Sequence, residues 1–597
     1  MSATVTGAGD QPRSSTSGFG GRTRSDLPGT ALWPGAYACL GDLLADAFVQ
    51  FKSETALIEV RRKREGDRLT FLDSWRAARP VGRFLQDLGL GPGDRMAILM
   101  SNQPRWLLGA SAAFLRGLTV VPLDYKLSGE EQAALLAHAK PQVLLIEYGL
   151  YRRLPSLPDG IRVIVSEAPE NADLGELVRW EDLPASADFD RVSVTRDDIA
   201  CIVYSSGTGG TPKGCQLTHG NYLAQWEALA GMYPMQPGDR FFSILPTNHA
   251  IDFMTGFIGP FACGGTVVHQ RTLRPEFLRH VLQNYEITHM AIVPRLLEAL
   301  KEGLEERLDE GPDWKKQAFS ALSSLNARLT WRKPRPELSR RLLKPVHDAF
   351  GGRMKLMFAG GTFVPPDLAQ FFYDLGLPVV IGYGLTEAGT VLTVNDLKPF
   401  RADSVGPPVP GVDLRIVDAG PDGVGEVQVR GPTVFAGYLD APELTAAAFT
   451  DDGWLKTGDL GHVDGAGHLH LVGRAKNMIV TDGGKNVYPE DVEIAFRDVA
   501  CEEFAVTAAN YVWPKRTMQG ERLIAVVRHA DGLPTALLAE LRRLNLRLPE
   551  HKRIDGVLAW DAEFPVTASL KLKRGVLAEQ LRAARSEADV VSLLETP

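Results

Sequence analysis

The sequence predicts an α/β protein. A large N-terminal domain of layered α/β subdomains with a β-rich subdomain precedes a small α+β C-terminal domain. Three observations carry this. Helical patterns alternate with short continuous apolar runs along most of the chain, as in largely parallel sheets covered by helices. After Arg401, Gly/Asp turns recur roughly every 8–12 residues between alternating strands. The 597 residues exceed what one hydrophobic core usually serves.

Taken in order, residues 1–30 are rich in Ser, Thr and Gly (Ser14-Ser15-Thr16-Ser17-Gly18, then Gly20-Gly21) and lack the apolar stretch of a signal peptide. They cannot bury enough surface to offset their ordering entropy and are expected to form a disordered tail. Leu43–Phe48 reads as a helix and Thr55–Val60 as a strand. A helix over Trp75–Leu88 stops at Gly89-Leu90-Gly91-Pro92-Gly93-Asp94, and Arg95–Met100 follows as a buried strand. The beat repeats: helix Trp106–Arg116 and strand Thr119–Leu123, then helix Gly129–Ala139 and strand Val143–Ile146. In the β-rich part, Asp418-Ala419-Gly420, Asp451-Asp452-Gly453 and Asp464-Gly465 mark turns, and Glu426–Arg430 alternates as a strand. Beyond Arg474 the helix–strand beat returns. The boundary is placed at 473–476, giving domains 31–473 and 474–597.

Composition narrows the function. Lys+Arg 65 against Asp+Glu 73 leaves a net charge of −8, which argues against a dedicated nucleic-acid binder. Five scattered cysteines form no disulfide framework or metal-ligand spacing and read as packing residues. There is no apolar run long enough to span a bilayer, and a cytoplasmic protein is expected.

The first informative segment is the strand Ile199–Tyr204 running into Ser205-Ser206-Gly207-Thr208-Gly209-Gly210-Thr211-Pro212-Lys213-Gly214. Glycines let backbone N–H groups approach an anion, the hydroxyls add donors, and Lys213 adds charge. A Walker loop fails because Pro212 precedes Lys213 and Gly214 follows it. A GxGxxG reading starting at Gly207 puts Pro212 at the third glycine. A flexible linker would not follow a buried strand directly or close on Pro-Lys-Gly.

This segment resembles the phosphate-binding signature of the adenylate-forming family: acyl-CoA synthetases, peptide-synthetase adenylation domains and firefly-type luciferases. It departs once, with Gly209 where the family has a second Thr or Ser, which implies altered nucleotide handling. Four further motifs follow in family order, so the resemblance covers roughly residues 40–580. Gly382-Tyr383-Gly384-Leu385-Thr386-Glu387 resembles the segment whose aromatic stacks beside adenine and whose Thr and Glu face the α-phosphate and Mg²⁺. Glu387 is a hard oxygen ligand suited to that ion, and Thr208 is implied to complete the metal site. In Trp454–Gly461, Asp459 is implied as the ribose anchor. In Gly473–Val480, Arg474 would reach ribose or phosphate, and Lys476 is the implied hinge of a mobile C-terminal domain. Gly483, Gly484 and Lys485 resemble the loop beside the CoA channel. Phe564–Arg574 resembles the terminal motif, with Lys571 at the catalytic position, Leu570 replacing the usual preceding glycine, and Lys573 the alternative.

Three segments resemble the long-chain fatty acyl-CoA synthetase branch: Leu245–Asp252, containing His249; Phe358–Asp367, containing Gly361; and Gly483–Val487. Peptide-synthetase domains hold an α-amine with an aspartate just after the strand at 356–358. Ala359 and Gly360 stand there, which points to a non-amino acid. Phe253, Met254, Phe257 and Ile258 stand at helical spacing and could wall an acyl pocket or pack the core. His249 could line the acyl or thiol channel or be a core histidine. A basic stretch of Arg328, Arg332, Lys333, Arg335, Arg340, Arg341 and Lys344, with only Glu337 among them, could dock on anionic lipid or be a solvated helix pair.

The resemblance therefore implies ATP-dependent activation of a carboxylic acid to acyl-AMP, with transfer to CoA. Mg²⁺ is the implied metal, and a medium- or long-chain fatty acid the expected substrate. The alternatives are an acyl-carrier-protein acceptor and an aryl or other non-fatty acid. A non-catalytic adenylate binder is disfavoured by Lys571, Glu387 and Asp459 together.

Overall fold

The computed structural model describes residues 3–6, 31–184, 188–205, 213–480, 486–514, 521–566 and 572–594. Two eight-stranded, mostly parallel sheets build the larger part. In the first, the strands Ile199–Ser205, Thr119–Pro122, Arg95–Leu99, Val143–Glu147 and Arg162–Ser166 lie side by side in that order. The hairpin partner Lys213–Thr218 and the short strand Gly437–Tyr438 extend one edge. In the second, Val379–Tyr383, Leu356–Gly360, His289–Ile292, Arg240–Ser243, Thr266–Gln270 and Thr55–Arg61 are neighbours. The expected α/β architecture is what the fold shows.

The apolar runs become strands because both of their faces are covered. Ala97, Leu99, Val121, Leu144 and Ile146 share one core, and Phe242, Met290, Ile292, Met357 and Val379 another. Local chemistry sets the helix starts. The helix Phe71–Asp87 begins four residues before the expected Trp75, because Thr70 and Asp73 form a reciprocal cap. Its neighbour Arg64–Thr70 is a strand with no alternation to reveal it, an exposed polar edge paired with Thr55–Arg61.

The β-rich part is a five-stranded sheet including Asp413–Val417, Gly425–Arg430, Leu455–Val463 and Leu469–Arg474. Ala3–Thr6, the only part of 1–30 among the described residues, is its edge strand; the rest of the expected tail lies outside them. The C-terminal part is a four-stranded sheet of Glu503–Ala508, Leu523–Arg528, Gly556–Trp560 and Val591–Ser592 over its own core of Val506, Val527, Leu541 and Val557.

By compactness the chain divides into two units. One holds Met1–Thr4, Arg415–Gln428 and Lys456–Pro597, and the other Val5–Leu414 and Val429–Leu455. The expected boundary at 473–476 therefore falls inside the smaller unit. The hairpin Leu455–Val463/Leu469–Arg474 runs directly into the C-terminal fold and is grouped with it.

Candidate active site

In the larger unit the strands Ile199–Ser205 and Lys213–Thr218, which flank the glycine-rich segment, pair antiparallel. Ser205 pairs with Lys213 and Tyr204 with Gly214, so the loop is closed at its base. Within it Ser206, Gly207, Thr208, Gly209 and Gly210 lie outside the described residues. What is described is the rim. Glu387 sits in the short turn Thr386–Ala388, after the strand Val379–Tyr383. Its Oε1 accepts from the Ser205 hydroxyl at 3.4 Å and from the Tyr438 hydroxyl at 3.0 Å. The Lys213 ammonium stands 5.0 Å from the centre of the Tyr438 ring. The structure thus brings together Ser205, Lys213 and Glu387 from the sequence expectation.

Tyr438 was not foreseen, because no spacing links it to Glu387. Only strand pairing does, with Tyr438 opposite Cys215 on the hairpin. Burial and the adjacent Glu387 carboxylate push the Tyr438 phenol well up, so it remains a hydrogen-bond donor at neutral pH. The Cys215 thiol is also pushed well up, by burial and then by Glu387. This keeps it protonated, in line with the packing role expected of the cysteines.

The motif's glycines have steric reasons. A Cβ on Gly384 would stand 1.7 Å from the Thr390 carbonyl oxygen, and one on Gly360 2.7 Å from that of Gly382. Gly360 and Gly382 face each other across the parallel strands that end at Gly360, just before Gly361, and at Tyr383. Tyr383 is buried there. Such strand ends are where open α/β sheets hold ligands.

Asp252 closes the expected Leu245–Asp252 segment and is fully buried. Its Oδ2 accepts from Ser243 (2.8 Å) and Thr247 (3.0 Å), while Oδ1 finds no partner among the described residues. Burial pushes this carboxyl up to about 7. Asn102 ties in as well, donating to Ser243 at 3.0 Å and accepting from the Thr247 N–H at 3.0 Å. The network fixes the turn that carries His249, whose Nε2 lies 4.0 Å from Asp124 Oδ2. Phe253, Met254 and Phe257 follow on a helix interrupted by the π-turn Met254–Ile258. All three are buried, and the two phenylalanines pack edge-on against Trp106.

In the smaller unit Asp459 and Arg474 face each other across the antiparallel hairpin, with Nε 2.8 Å from Oδ1. Lys476 lies in the following turn Ala475–Asn477. Partial desolvation, helped by Arg474, draws its ammonium down to about 8. Asn477 donates to Glu490 at 2.6 Å, joining this turn to the helix Pro489–Ile494. Lys571, Gly483, Gly484 and Lys485 lie outside the described residues. The segment carrying Lys571 is closed at its base by a bridge between Val566 and Leu572 and by the Lys573 N–H on the Pro565 carbonyl. Arg574, given no role by the motif, anchors the far side through Glu493 (2.8 Å) and the Val506 carbonyl (2.8 Å).

The family model for AMP-binding enzymes matches residues 44–439. The chain belongs to the AMP-binding enzyme family. It is a ligase by class, as the adenylate-forming resemblance implied. It is 31% identical over 431 residues to the long-chain-fatty-acid–CoA ligase FadD15 of Mycobacterium bovis, covering 69% of this chain and 70% of that one. It is 29% identical over 519 residues to the feruloyl-CoA synthase of an Amycolatopsis species, covering 85% and 93%. Its fold is that of the o-succinylbenzoate CoA synthetase MenE of Bacillus subtilis, solved with its acyl-adenylate intermediate. There the TM-score is 0.70 at 24% identity, covering 90% and 97%.

Among the described residues Glu387 has no ion pair, and its Oε1 accepts from two neutral hydroxyls. That leaves its negative charge available to a cation. It fits Mg²⁺, which takes one or two carboxylates and completes its shell with phosphate and water oxygens. No group of three or more His, Cys, Asp or Glu that could hold a metal by itself occurs among the described residues.

Proposed function

We propose that the protein is an AMP-forming acyl-CoA synthetase that activates a medium- or long-chain fatty acid. The observation that carries this is the Ser205–Glu387–Tyr438 cluster at the base of a hydroxyl- and glycine-rich hairpin loop, with Lys213 beside it. The family match and the CoA ligases among the relatives support it.

A free carboxylate acylates poorly because its leaving group would be oxide. Attack on the α-phosphorus of ATP gives acyl-AMP and pyrophosphate, and the barrier is anion approaching anion. The loop 205–214 would hold the phosphates through N–H and hydroxyl donors, and Lys213 would add charge. Mg²⁺ held by Glu387, with Thr208, would supply charge neutralisation at the phosphates. Asp459 would anchor the ribose hydroxyls, with Arg474 reaching ribose or phosphate and Tyr383 beside the adenine. Lys571 would stabilise the charge developing at the α-phosphate. A turn of the C-terminal domain about Lys476 would then withdraw it and open the thiol path past Gly483, Gly484 and Lys485. No protein nucleophile is used, in keeping with thiols pushed up by burial at Cys201, Cys215 and Cys263.

The second reading is an aryl-CoA ligase, favoured by the near full-length match to feruloyl-CoA synthase. A carrier-protein acceptor is the third. The deciding assay is carboxylate-dependent pyrophosphate release across C2–C18 and aryl acids, with and without CoA, beside Lys571→Ala. A long-chain optimum, acyl-CoA product and an inactive variant are expected. An aryl optimum moves the substrate class, acyl-AMP without CoA product points to a carrier, and no release with any acid overturns the reading.

A further inference from the structure

The helix Asp313–Thr330 packs on the protein through a mixed face, with Phe319 against the core, and shows an apolar row to solvent. Asn326 and Thr330 are buried: Asn326 donates to the Asp374 carbonyl (2.8 Å), and Tyr373 donates to the Thr330 carbonyl (3.0 Å). On a wheel of 3.6 residues per turn, Trp314, Ala318, Ala321, Leu322, Leu325 and Leu329 fill an arc of about 100° beside that buried face. Trp314 is 65% exposed, Leu322, Leu325 and Leu329 are 37%, 44% and 41% exposed, and Trp331, just past the helix, is 57% exposed. Single exposed apolar residues are ordinary, but a continuous row marks an interaction surface.

Charge says what it meets. From 328 to 344 there are seven cations and one acid. Among the described residues Arg328, Arg332, Lys333, Arg335, Arg340 and Arg341 have no ion pair, while Lys344 is taken by Asp348. Arg335, Arg340 and Arg341 line a cleft of 780 Å³ with Arg353 and Lys355, which are already paired with Glu286 and Asp239.

We infer that this face docks on an anionic membrane surface. The helix lies in the interface plane with Leu322, Leu325, Leu329 and the two tryptophans at the acyl boundary. The cations of 328–344 meet the headgroup phosphates. A second copy joined through a two-fold axis would set these cations against themselves, which disfavours self-association. The inference is independent of which acid the enzyme activates.

The test is flotation of the full-length protein with phosphatidylcholine vesicles, pure or with roughly a third phosphatidylglycerol. Binding is expected to the anionic vesicles only, and to fall sharply between about 0.1 and 0.5 M NaCl. Leu325→Ser with Leu329→Ser is expected to weaken it about tenfold or more. Arg332→Ala and Arg335→Ala, which lie outside the helix, are expected to weaken it about fivefold each. Pyrophosphate release with a water-soluble acid should be unchanged in both. Equal binding to both vesicle types, no binding, or a dimer in light scattering that Leu325→Ser dissolves would each overturn the inference.

Discussion

Glu387 and Glu493 are both partly buried carboxylates, one in each unit, and their partners give them opposite roles. Glu493 is saturated: Oε2 accepts from Arg574, Oε1 from the Val506 N–H at 2.7 Å, and Arg574 reaches back to the Val506 carbonyl. Burial pushes the Glu493 carboxyl up, and Arg574 pulls against it. Glu387 has two hydroxyl donors on one oxygen and no cation among the described residues. A charge compensated from within holds structure, whereas a charge held by neutral donors is available to a ligand.

The sharpest break is Arg574→Ala. It leaves the Glu493 charge uncompensated, and a loss of about 3 kcal/mol in stability is expected. Urea unfolding checks it, and pairing it with Glu493→Gln should recover much of the loss, since the orphaned charge goes too. An unchanged midpoint in Arg574→Ala would make the pair ornamental and erase the contrast.

Glu387→Ala should do the reverse. Pyrophosphate release is expected to fall about 10²–10³-fold while the urea midpoint moves little, because the residue satisfies no buried cation. Added Mg²⁺ should rescue the variant less than wild type. A large stability loss with near-normal turnover would place Glu387 beside Glu493 as a structural group.

Much of this contrast was legible in the sequence, and the reasons are physical. The motif 379–387 sits on one strand and the turn after it, so sequence alone could place Glu387 just past a strand end. Contacts made by tertiary pairing were not legible. Tyr438 reaches Glu387 only because its strand lies beside Cys215, and Arg574 meets Glu493 from 81 residues away. Arg64–Thr70 escaped because an edge strand need not alternate. The boundary at 473–476 follows motif residues in the sequence, whereas compactness groups most of the hairpin 455–474 with the C-terminal part. Ser206–Gly210 and Lys571 stay expectations of the motif alone.

Asp252 adds a pH dependence to this contrast. The Asp252 carboxyl is held at about 7 in the fold by burial, above its ordinary value of 3.8. Below the ordinary value both folded and unfolded states are protonated. Between the two values only the fold keeps the proton, so stability falls as pH rises through that window, by roughly 1 kcal/mol per unit. Asp252→Asn should remove that part of the decline. Melting the two proteins at about pH 5 and pH 7.5 should give a smaller drop in the variant, and parallel drops would remove Asp252 as the source.

The mildest change is Tyr438→Phe, which tests whether the hydroxyls on Glu387 position it or merely occupy it. The ring stays, so the Lys213 contact at 5.0 Å and the pairing with Cys215 persist. Only the 3.0 Å donor to Oε1 is lost, leaving Ser205 at 3.4 Å. A hydrogen bond to a charged group contributes about 1.5–3 kcal/mol, but here water can replace the lost donor. A three- to tenfold fall in pyrophosphate release is expected, with a higher Mg²⁺ requirement and an unchanged melting temperature. Because the phenol donates at neutral pH and ionises far above it, the loss should be the same from about pH 6 to 8.5. A loss that grew across that range would mean that the tyrosine acts as an acid and not as a fixed donor, and Glu387 would then be held by Ser205 alone.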